Sequence, residues 1–172
     1  MSNSVRESIG AHMGHNYVAM FGLTALPLVV GGISSYLTSD AMIQFDSFRQ
    51  PPLSPPAWLF PVVWTALYLL MGAASYLLFR YVPTNGTEAT MRHAALIIYG
   101  AQLAINFAWS LVFFGAEAHW AAFVLLMLMW VMIIALVILS FRMSKAAGWM
   151  LVPYLAWTTF AAYLNLMIAI LN

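Results

Sequence analysis

The chain contains no cysteine and very few charged residues. Its 172 residues include six lysines and arginines and five aspartates and glutamates, with a formal net charge of +1. The lack of cysteine excludes disulfides, thiolate catalysis and cysteine-ligated zinc or iron–sulfur sites. The small net charge excludes a strong electrostatic attraction to nucleic acid. A soluble domain has about 25% charged residues, so a chain with 6% lacks the charge to cover its surface in water.

The charged residues are confined to short gaps between uncharged stretches. Each stretch is long enough to cross a bilayer as a helix, which takes about 20 residues. Only helices and closed barrels satisfy the backbone in lipid, and continuous apolar runs favour helices. The sequence therefore predicts an all-α integral membrane bundle over residues 17–172, preceded by a polar N-terminal tail at residues 1–16. The predicted helices lie at about 17–39, 56–80, 92–116, 119–142 and 146–171.

Basic residues are distributed unequally between the two ends of the predicted bundle. One end holds the tail and two connections, and the other end has Arg49 alone. Because lysine and arginine are enriched on the cytoplasmic side, we expect the N-terminus in the cytoplasm and the C-terminus outside, in a bacterial cell membrane. The basic residues on the cytoplasmic side are Arg6, Arg80, Arg92, Arg142 and Lys145.

The connection between the first two spans is rich in proline. It runs from Asp40 to about Pro56 and ends in the run Pro51-Pro52-Leu53-Ser54-Pro55-Pro56. Proline fixes φ and restricts the residue before it, so we expect a stiff, extended lead-in to the second span. Two interpretations remain open: a lid over one mouth of the bundle, or a simple start signal for the helix.

Amide and aromatic side chains replace charges inside the predicted spans. The absence of mid-membrane charge argues against proton relays and ion-coupled transport, and we expect no metal site and no catalytic residue. On the third span, Gln102, Asn106 and Trp109 form one stripe with helical spacing. The alternative role for the two amides is hydrogen bonding between helices alone. A second stripe of small residues favours close helix packing, as in a homodimer; its members are Gly100, Ala104 and Ala108.

Three tryptophans lie deep in the predicted spans, namely Trp64, Trp109 and Trp157. A buried indole N–H needs an acceptor. Together with Asn106 and Tyr154, these indoles predict a flat-walled pocket for a planar hydrophobic ligand. Three other tryptophans lie near helix ends and are typical of the membrane interface; these are Trp58, Trp120 and Trp149.

Three blocks of sequence resemble the translocator protein and tryptophan-rich sensory protein (TspO/MBR) family. The first block is Ser54-Pro55-Pro56-Ala57-Trp58-Leu59-Phe60-Pro61 with Trp64–Met71. The second is Ala101-Gln102-Leu103-Ala104 with Asn106, Trp109 and Phe113-Phe114-Gly115. The third is Val152-Pro153-Tyr154-Leu155-Ala156-Trp157 with Ala161 and Leu164-Asn165. The blocks occur in order, each in a separate span.

The resemblance implies a five-helix bundle, often dimeric, with a ligand pocket under the first loop. Ligands in the family are tetrapyrroles such as protoporphyrin IX or haem, isoquinoline carboxamide and benzodiazepine-type drugs, and cholesterol in animals; no further cofactor is implied. By position, the resemblance assigns Trp64, Asn106, Trp109, Tyr154, Trp157 and Ala161 to the pocket. Tyr68, on the face of Trp64, and Gln102, on the stripe of Asn106, join them as candidates.

Three functions are compatible with this pocket: a receptor or sensor, a light-dependent porphyrin-degrading activity, and a transporter of hydrophobic metabolites such as tetrapyrroles or sterols. The receptor is favoured because the spans contain no acid, base or coupling-ion carboxylate. The chain departs from the family pattern in its first loop, where tryptophans are replaced. The aligned positions include Gln44-Phe45 and Gln50-Pro51.

Overall fold

The computed structural model describes the backbone of residues 3–172 and the side chains of residues 17–41 and 43–172. Its helices are α1 (Asn3–Leu37), α2 (Ala41–Ser47), α3 (Leu59–Arg80), α4 (Gly86–Ser110), α5 (His119–Met143) and α6 (Lys145–Leu171), and a π-helical turn at Leu111–Gly115 continues α4. Within the described backbone there is no β-strand. Five of the helices are long and apolar enough to cross a membrane. The predicted all-α bundle with five spans is confirmed.

The apolar part of α1 is Tyr17–Leu37, close to the predicted first span. The predicted polar tail at residues 1–16 lies outside the residues whose side chains are described, so the division between tail and membrane domain stays a prediction. Helix α1 packs chiefly against α3, and α3 also packs against α6. Helices α4, α5 and α6 are successive neighbours and are joined by short connections. The core contains fully buried Met71, Met129 and Ile133.

Helix α4 begins at Gly86, six residues before the predicted start at residue 92. The prediction placed Glu88 and Arg92 in the gap between spans because they are charged. In the structure, the Asn85 side chain caps the helix by accepting a hydrogen bond from the Glu88 backbone N–H at 2.9 Å. The Glu88 carboxylate in turn accepts from the Thr84 backbone N–H at 2.8 Å. This reciprocal cap starts the helix outside the apolar region.

The first connection differs from its prediction in its first half, which forms the short helix α2 instead of an extended segment. The proline-rich second half contains no regular helix and turns at Leu53, whose φ is 68°. This half is hydrogen-bonded to the C-terminal part of α6 and to the residue that follows it. The Arg49 backbone N–H donates to Asn172 Oδ1 at 2.9 Å, and Tyr163 Oη donates to the Pro52 carbonyl at 2.8 Å. The connection therefore crosses one end of the bundle.

Glycine allows α1 to approach α3 closely. A Cβ atom placed on Gly72 would lie 2.6 Å from Thr24 Cα and 2.7 Å from the Thr24 carbonyl oxygen. Both of these atoms are backbone, so α1 would have to move. By contrast, a Cβ atom on Gly100 would meet nothing within 4 Å.

We predict that Gly72→Ala destabilises the protein although alanine is the better helix former. Overpacking costs about 1–3 kcal/mol, which exceeds the helix-propensity gain of about 0.8–1 kcal/mol. The measurement is thermal unfolding in detergent, with Gly100→Ala as the matched control. Equal midpoints for the two variants would contradict the close approach of α1 and α3.

The absence of native cysteine permits a direct test of orientation. Leu53 is 81% exposed in the first connection, and Val82 is 80% exposed between α3 and α4. We predict that a membrane-impermeant maleimide labels Leu53→Cys in intact cells and labels Val82→Cys only after the cells are opened. The reverse pattern would place the N-terminus outside.

Candidate ligand-binding cavity

A cavity of about 350 Å³ lies between α1, α3 and α4, beneath α2. It is at the end of the bundle where α1 ends and α3 begins. Aromatic rings and small residues dominate its wall. Its lining residues include Gly31, Gly32, Ser34, Ser35, Phe45, Phe60, Trp64, Tyr68, Asn106, Trp109, Ser110 and Phe114.

Helix α1 supplies a wall that the sequence analysis did not assign to the site. The pocket predicted from the sequence uses the second, third and fifth spans alone. Gly31 lies so close to Tyr68 that a Cβ atom on this glycine would collide with the tyrosine ring. The signal in the sequence is a cluster of small residues at the end of the first span, Gly31-Gly32 and Ser34-Ser35, which leaves room between helices.

The opposite wall is a cluster of aromatic rings from α3 and α4. The Trp64 ring centre lies 5.4 Å from that of Tyr68 and 6.5 Å from that of Trp109. All three residues, which are candidates from the sequence, line the cavity. The pairs of rings are tilted by about 30°. The wall therefore presents large, apolar ring surfaces suited to stacking.

The π-helical turn adds a further ring to this wall. Phe113 continues the stripe of Trp109, with ring centres 5.3 Å apart in a stacked arrangement. A π turn contains more residues than an α turn, so the next residue is also brought inward. Phe114 consequently lines the cavity and packs edge-on against Phe113 at 4.8 Å.

Asn106 is the buried amide of the wall. Tyr68 Oη donates to Asn106 Oδ1 at 3.0 Å. Asn106 Nδ2 donates to Tyr154 Oη at 3.4 Å, and Tyr154 Oη donates to Gln102 Oε1 at 2.7 Å. Tyr154 and Gln102 are completely buried and do not line the cavity. They lie behind Asn106, so the structure makes them support for the wall.

A second set of hydrogen bonds holds Trp109. Its indole N–H donates to Asn165 Oδ1 at 3.0 Å, and Asn165 Nδ2 donates to the His119 carbonyl at 2.8 Å. The buried Asn165 thus connects α4, α5 and α6 at one point. In the sequence, Asn165 is distinguished only as a member of the third matched block.

The structure does not bring Trp157 and Ala161 to the cavity. Trp157 lies along an open apolar groove between α3 and α6, together with Val62 and Pro153. Its ring packs against Phe60 with centres 5.8 Å apart. Ala161 is buried in the core of the bundle. Both residues are on the predicted inward face of α6, and α6 packs on α3 and α5. The cavity lies on the other side of α3, where α1 closes it.

Helix α2 covers the cavity, which favours the lid interpretation of the first connection. Phe45 is buried, lines the cavity and packs edge-on against Phe60 with ring centres 4.8 Å apart. Gln50 Nε2 donates to the Phe45 carbonyl, which fixes the end of α2. Phe45 therefore supplies an aromatic cover in a first loop whose tryptophans are replaced.

The cavity wall contains no carboxylate, imidazole, amine or guanidinium among the described residues. Its polar side-chain groups are hydroxyls, the Asn106 amide and the indole N–H groups of Trp64 and Trp109. No group of three or more possible metal ligands occurs among the described residues. The cavity can bind an apolar molecule by stacking and by a few hydrogen bonds.

The predicted dimer stripe lies on another surface. Gly100 and Ala104 are exposed and Ala108 is partly exposed, as a helix-packing face requires. Trp58, Trp120 and Trp149 are also exposed, near helix ends. A homodimer stays a prediction.

Comparison with known proteins identifies the family. The model of the TspO/MBR family matches residues 23–171. The chain is 37% identical over 148 residues to the tryptophan-rich protein TspO of Chlorobaculum tepidum, covering 86% of this chain and 91% of that protein. It is 36% identical over 154 residues to the translocator protein of Ovis aries, covering 89% of each chain. It is 38% identical over 121 residues to the tryptophan-rich sensory protein of Cereibacter sphaeroides, covering 70% of this chain and 72% of that protein. The chain belongs to the TspO/MBR family and is an integral, multi-pass membrane protein.

Proposed function

We propose that this protein is a membrane receptor or sensor that binds a planar hydrophobic ligand in the cavity between α1, α3 and α4. The first candidate is a tetrapyrrole such as protoporphyrin IX or haem, and isoquinoline carboxamide or benzodiazepine-type drugs are further candidates. The observation that carries the proposal is the continuous aromatic wall of Trp64, Tyr68 and Trp109. Ring surfaces favour flat ligands because stacking contributes beyond the burial of apolar area.

The composition of the wall supports binding over catalysis. General acid–base chemistry requires a side chain that exchanges protons near neutral pH, and the described wall has hydroxyls, one amide and indole N–H groups instead. The unequal distribution of basic residues supports a bacterial cell membrane with the N-terminus in the cytoplasm. The exposed stripe of Gly100, Ala104 and Ala108 supports a homodimer.

The size of the cavity distinguishes the ligand classes. Small-molecule sites occupy about 300–1,000 Å³, and the cavity, at about 350 Å³, is near the lower limit. A drug-sized tricyclic molecule requires little adjustment, whereas a tetrapyrrole requires the cavity to widen.

We predict that Trp64→Ala weakens protoporphyrin IX binding by about 1–3 kcal/mol, on the scale of lost stacking on one aromatic ring. Affinity is measured by quenching of the remaining tryptophans in nanodiscs. Trp149→Ala is the control because Trp149 is 65% exposed near a helix end, and its affinity should equal that of the wild type. Equal affinities for all three proteins would exclude the cavity as the binding site.

We further predict that Phe45→Ala accelerates ligand dissociation, because it removes the buried ring with which α2 covers the cavity. Ile43→Ala is the matched control, since Ile43 is on the same short helix and is 73% exposed. Stopped-flow fluorescence after rapid dilution gives the dissociation rates. If Phe45→Ala and Ile43→Ala release protoporphyrin IX at the same rate, α2 is not a lid.

A further inference from the structure

Three serines line the cavity, and their hydroxyls make no hydrogen bond to another described residue. They are Ser34 and Ser35 on α1 and Ser110 at the end of α4, and we call them the serine belt. The two serines that are completely buried in the core, Ser75 and Ser140, each donate to a backbone carbonyl three or four residues earlier. A helix commonly satisfies a buried serine in this way. The hydroxyls of the serine belt are instead left for a partner in the cavity.

Ser34 is the most enclosed member of the serine belt, with 6% of its surface exposed. The Thr38 hydroxyl donates to the Ser34 backbone carbonyl at 2.9 Å, which satisfies that carbonyl but not the Ser34 hydroxyl. An unpaired hydroxyl inside a protein is unfavourable. A ligand group that pairs with Ser34 therefore gains a hydrogen bond that the described protein groups do not make among themselves.

The serine belt lies about one helical turn from the deep end of the aromatic wall, on the side of α2. Gly31 touches Tyr68, and Tyr68 is hydrogen-bonded to Asn106, so these three residues share one level of the bundle. Ser34 follows Gly31 by three residues and Ser110 follows Asn106 by four, which displaces both serines by about 4.5–6 Å along their helices. Because α1 and α4 are the first and third of the alternating spans, both displacements are toward the covered end of the cavity.

The charges at this end of the cavity disfavour an anionic ligand group. The described lining residues include no cation that could pair with a carboxylate. Asp40 lies between Ser39 and Ala41, which both line the cavity, so the charged residue nearest to the end of α1 in the chain is an acid. Burial of an unpaired carboxylate is costly. An uncharged hydroxyl, by contrast, can both donate to a serine and accept from one.

We propose that the serine belt binds an uncharged hydroxyl group of the ligand, so that the cavity selects planar amphiphiles with an aromatic body and a hydroxyl at one edge. This inference rests on the proposed function, because it concerns the same cavity. The aromatic body lies against Trp64 and Trp109, and its hydroxyl is directed toward α2. A site built to bond a hydroxyl rejects analogues that lack it more strongly than an apolar site does. The carboxylates of a larger ligand such as a tetrapyrrole must extend past the serine belt into water.

The test uses three phenanthrenes that carry different groups at the same position of the central ring. Hydroxymethylphenanthrene has the hydroxyl, ethylphenanthrene has a methyl group in its place, and phenanthrene carboxylate is anionic. Binding is measured by isothermal titration to the protein in nanodiscs, and each affinity is corrected for partitioning of the probe into empty nanodiscs. We expect wild-type protein to bind hydroxymethylphenanthrene about 10-fold more tightly than ethylphenanthrene, which is the scale of one hydrogen bond. The carboxylate should bind most weakly of the three.

Two variants test the role of the serine belt. Ser34→Ala removes its most enclosed hydroxyl, and Ser34→Ala combined with Ser110→Ala removes hydroxyls from both α1 and α4. We expect the preference for hydroxymethylphenanthrene over ethylphenanthrene to fall to about threefold in the single variant and to vanish in the double variant. The affinity for ethylphenanthrene should not fall, because that probe makes no hydrogen bond. A structural role alone would weaken both probes equally and leave their ratio unchanged.

Ser140→Ala is the matched control, because it is the same substitution at a buried serine outside the cavity. Ser140 is completely buried on α5, its hydroxyl donates to the Leu136 carbonyl at 2.6 Å, and it does not line the cavity. Its removal should leave the ratio of the two affinities at the wild-type value. Alanine is a better helix former than serine, and thermal unfolding of each variant checks that the fold is retained.

The outcomes separate this inference from the proposed function. Equal wild-type affinity for hydroxymethylphenanthrene and ethylphenanthrene, or no binding of the former, overturns the selection of a hydroxyl. Tighter binding of the carboxylate overturns the selection of an uncharged group, and a preference that persists in the double variant overturns the assignment to the serine belt. Protoporphyrin IX binding to the same wild-type nanodiscs, compared with Trp64→Ala, tests the proposed function separately.

Discussion

The exclusion of water from the bilayer interior is the constraint on which this structure depends. A polar side chain inside the bundle must find its partner within the protein, because an unpaired polar group in hydrocarbon costs several kcal/mol. In this bundle the groups that pair between helices are amides, phenols and an indole, not charged groups. Asn106 connects α3, α4 and α6 through Tyr68 and Tyr154, and Asn165 connects α4, α5 and α6. The same hydrogen bonds that hold the helices also orient the polar atoms of the cavity.

The cavity arises from the way in which α1 joins the other helices. Gly72 and Gly31 bring α1 into close contact with α3, so one side of α1 is fixed by backbone approach. On the side of α1 toward α4, the small residues Gly32 and Ser35 do not fill the space between the helices. The aromatic rings of Trp64 and Trp109 face this space. Close packing on one side of a helix and small residues on the other thus produce a wall and a void together.

Hydropathy and spacing were sufficient to predict the spans and the inward stripes of α3 and α4. Trp64, Asn106 and Trp109 were predicted as site residues, and the structure places them together on the cavity wall. Periodicity indicates which face of a helix is turned inward, but it does not indicate which helix that face meets. Trp157 is therefore on a buried-side face and yet meets α3, outside the cavity.

The short helix α2 and the cavity wall formed by α1 could not be predicted from the sequence, for a related reason. Seven residues with proline after them carry too weak a periodic signal for a helix. The small residues near Gly31 are equally consistent with helix packing in a dimer. Only the position of Tyr68 against Gly31 distinguishes a cavity wall from an outer surface.

The hydrogen bonds between the first connection and α6 determine which side of the cavity can widen for a large ligand. The segment from Arg49 to Pro52 is bound to α6 through Asn172 and Tyr163, so this part of the cover is held in place. Within residues 17–37, no side-chain hydrogen bond joins α1 to another helix, and α1 has far less contact with α4 than with α3. Separation of α1 from α4 breaks no side-chain hydrogen bond of residues 17–37, and lipid replaces the apolar contacts at little free-energy cost. We therefore expect the proposed tetrapyrrole to be accommodated by separation of α1 from α4 and not by release of the hydrogen-bonded loop.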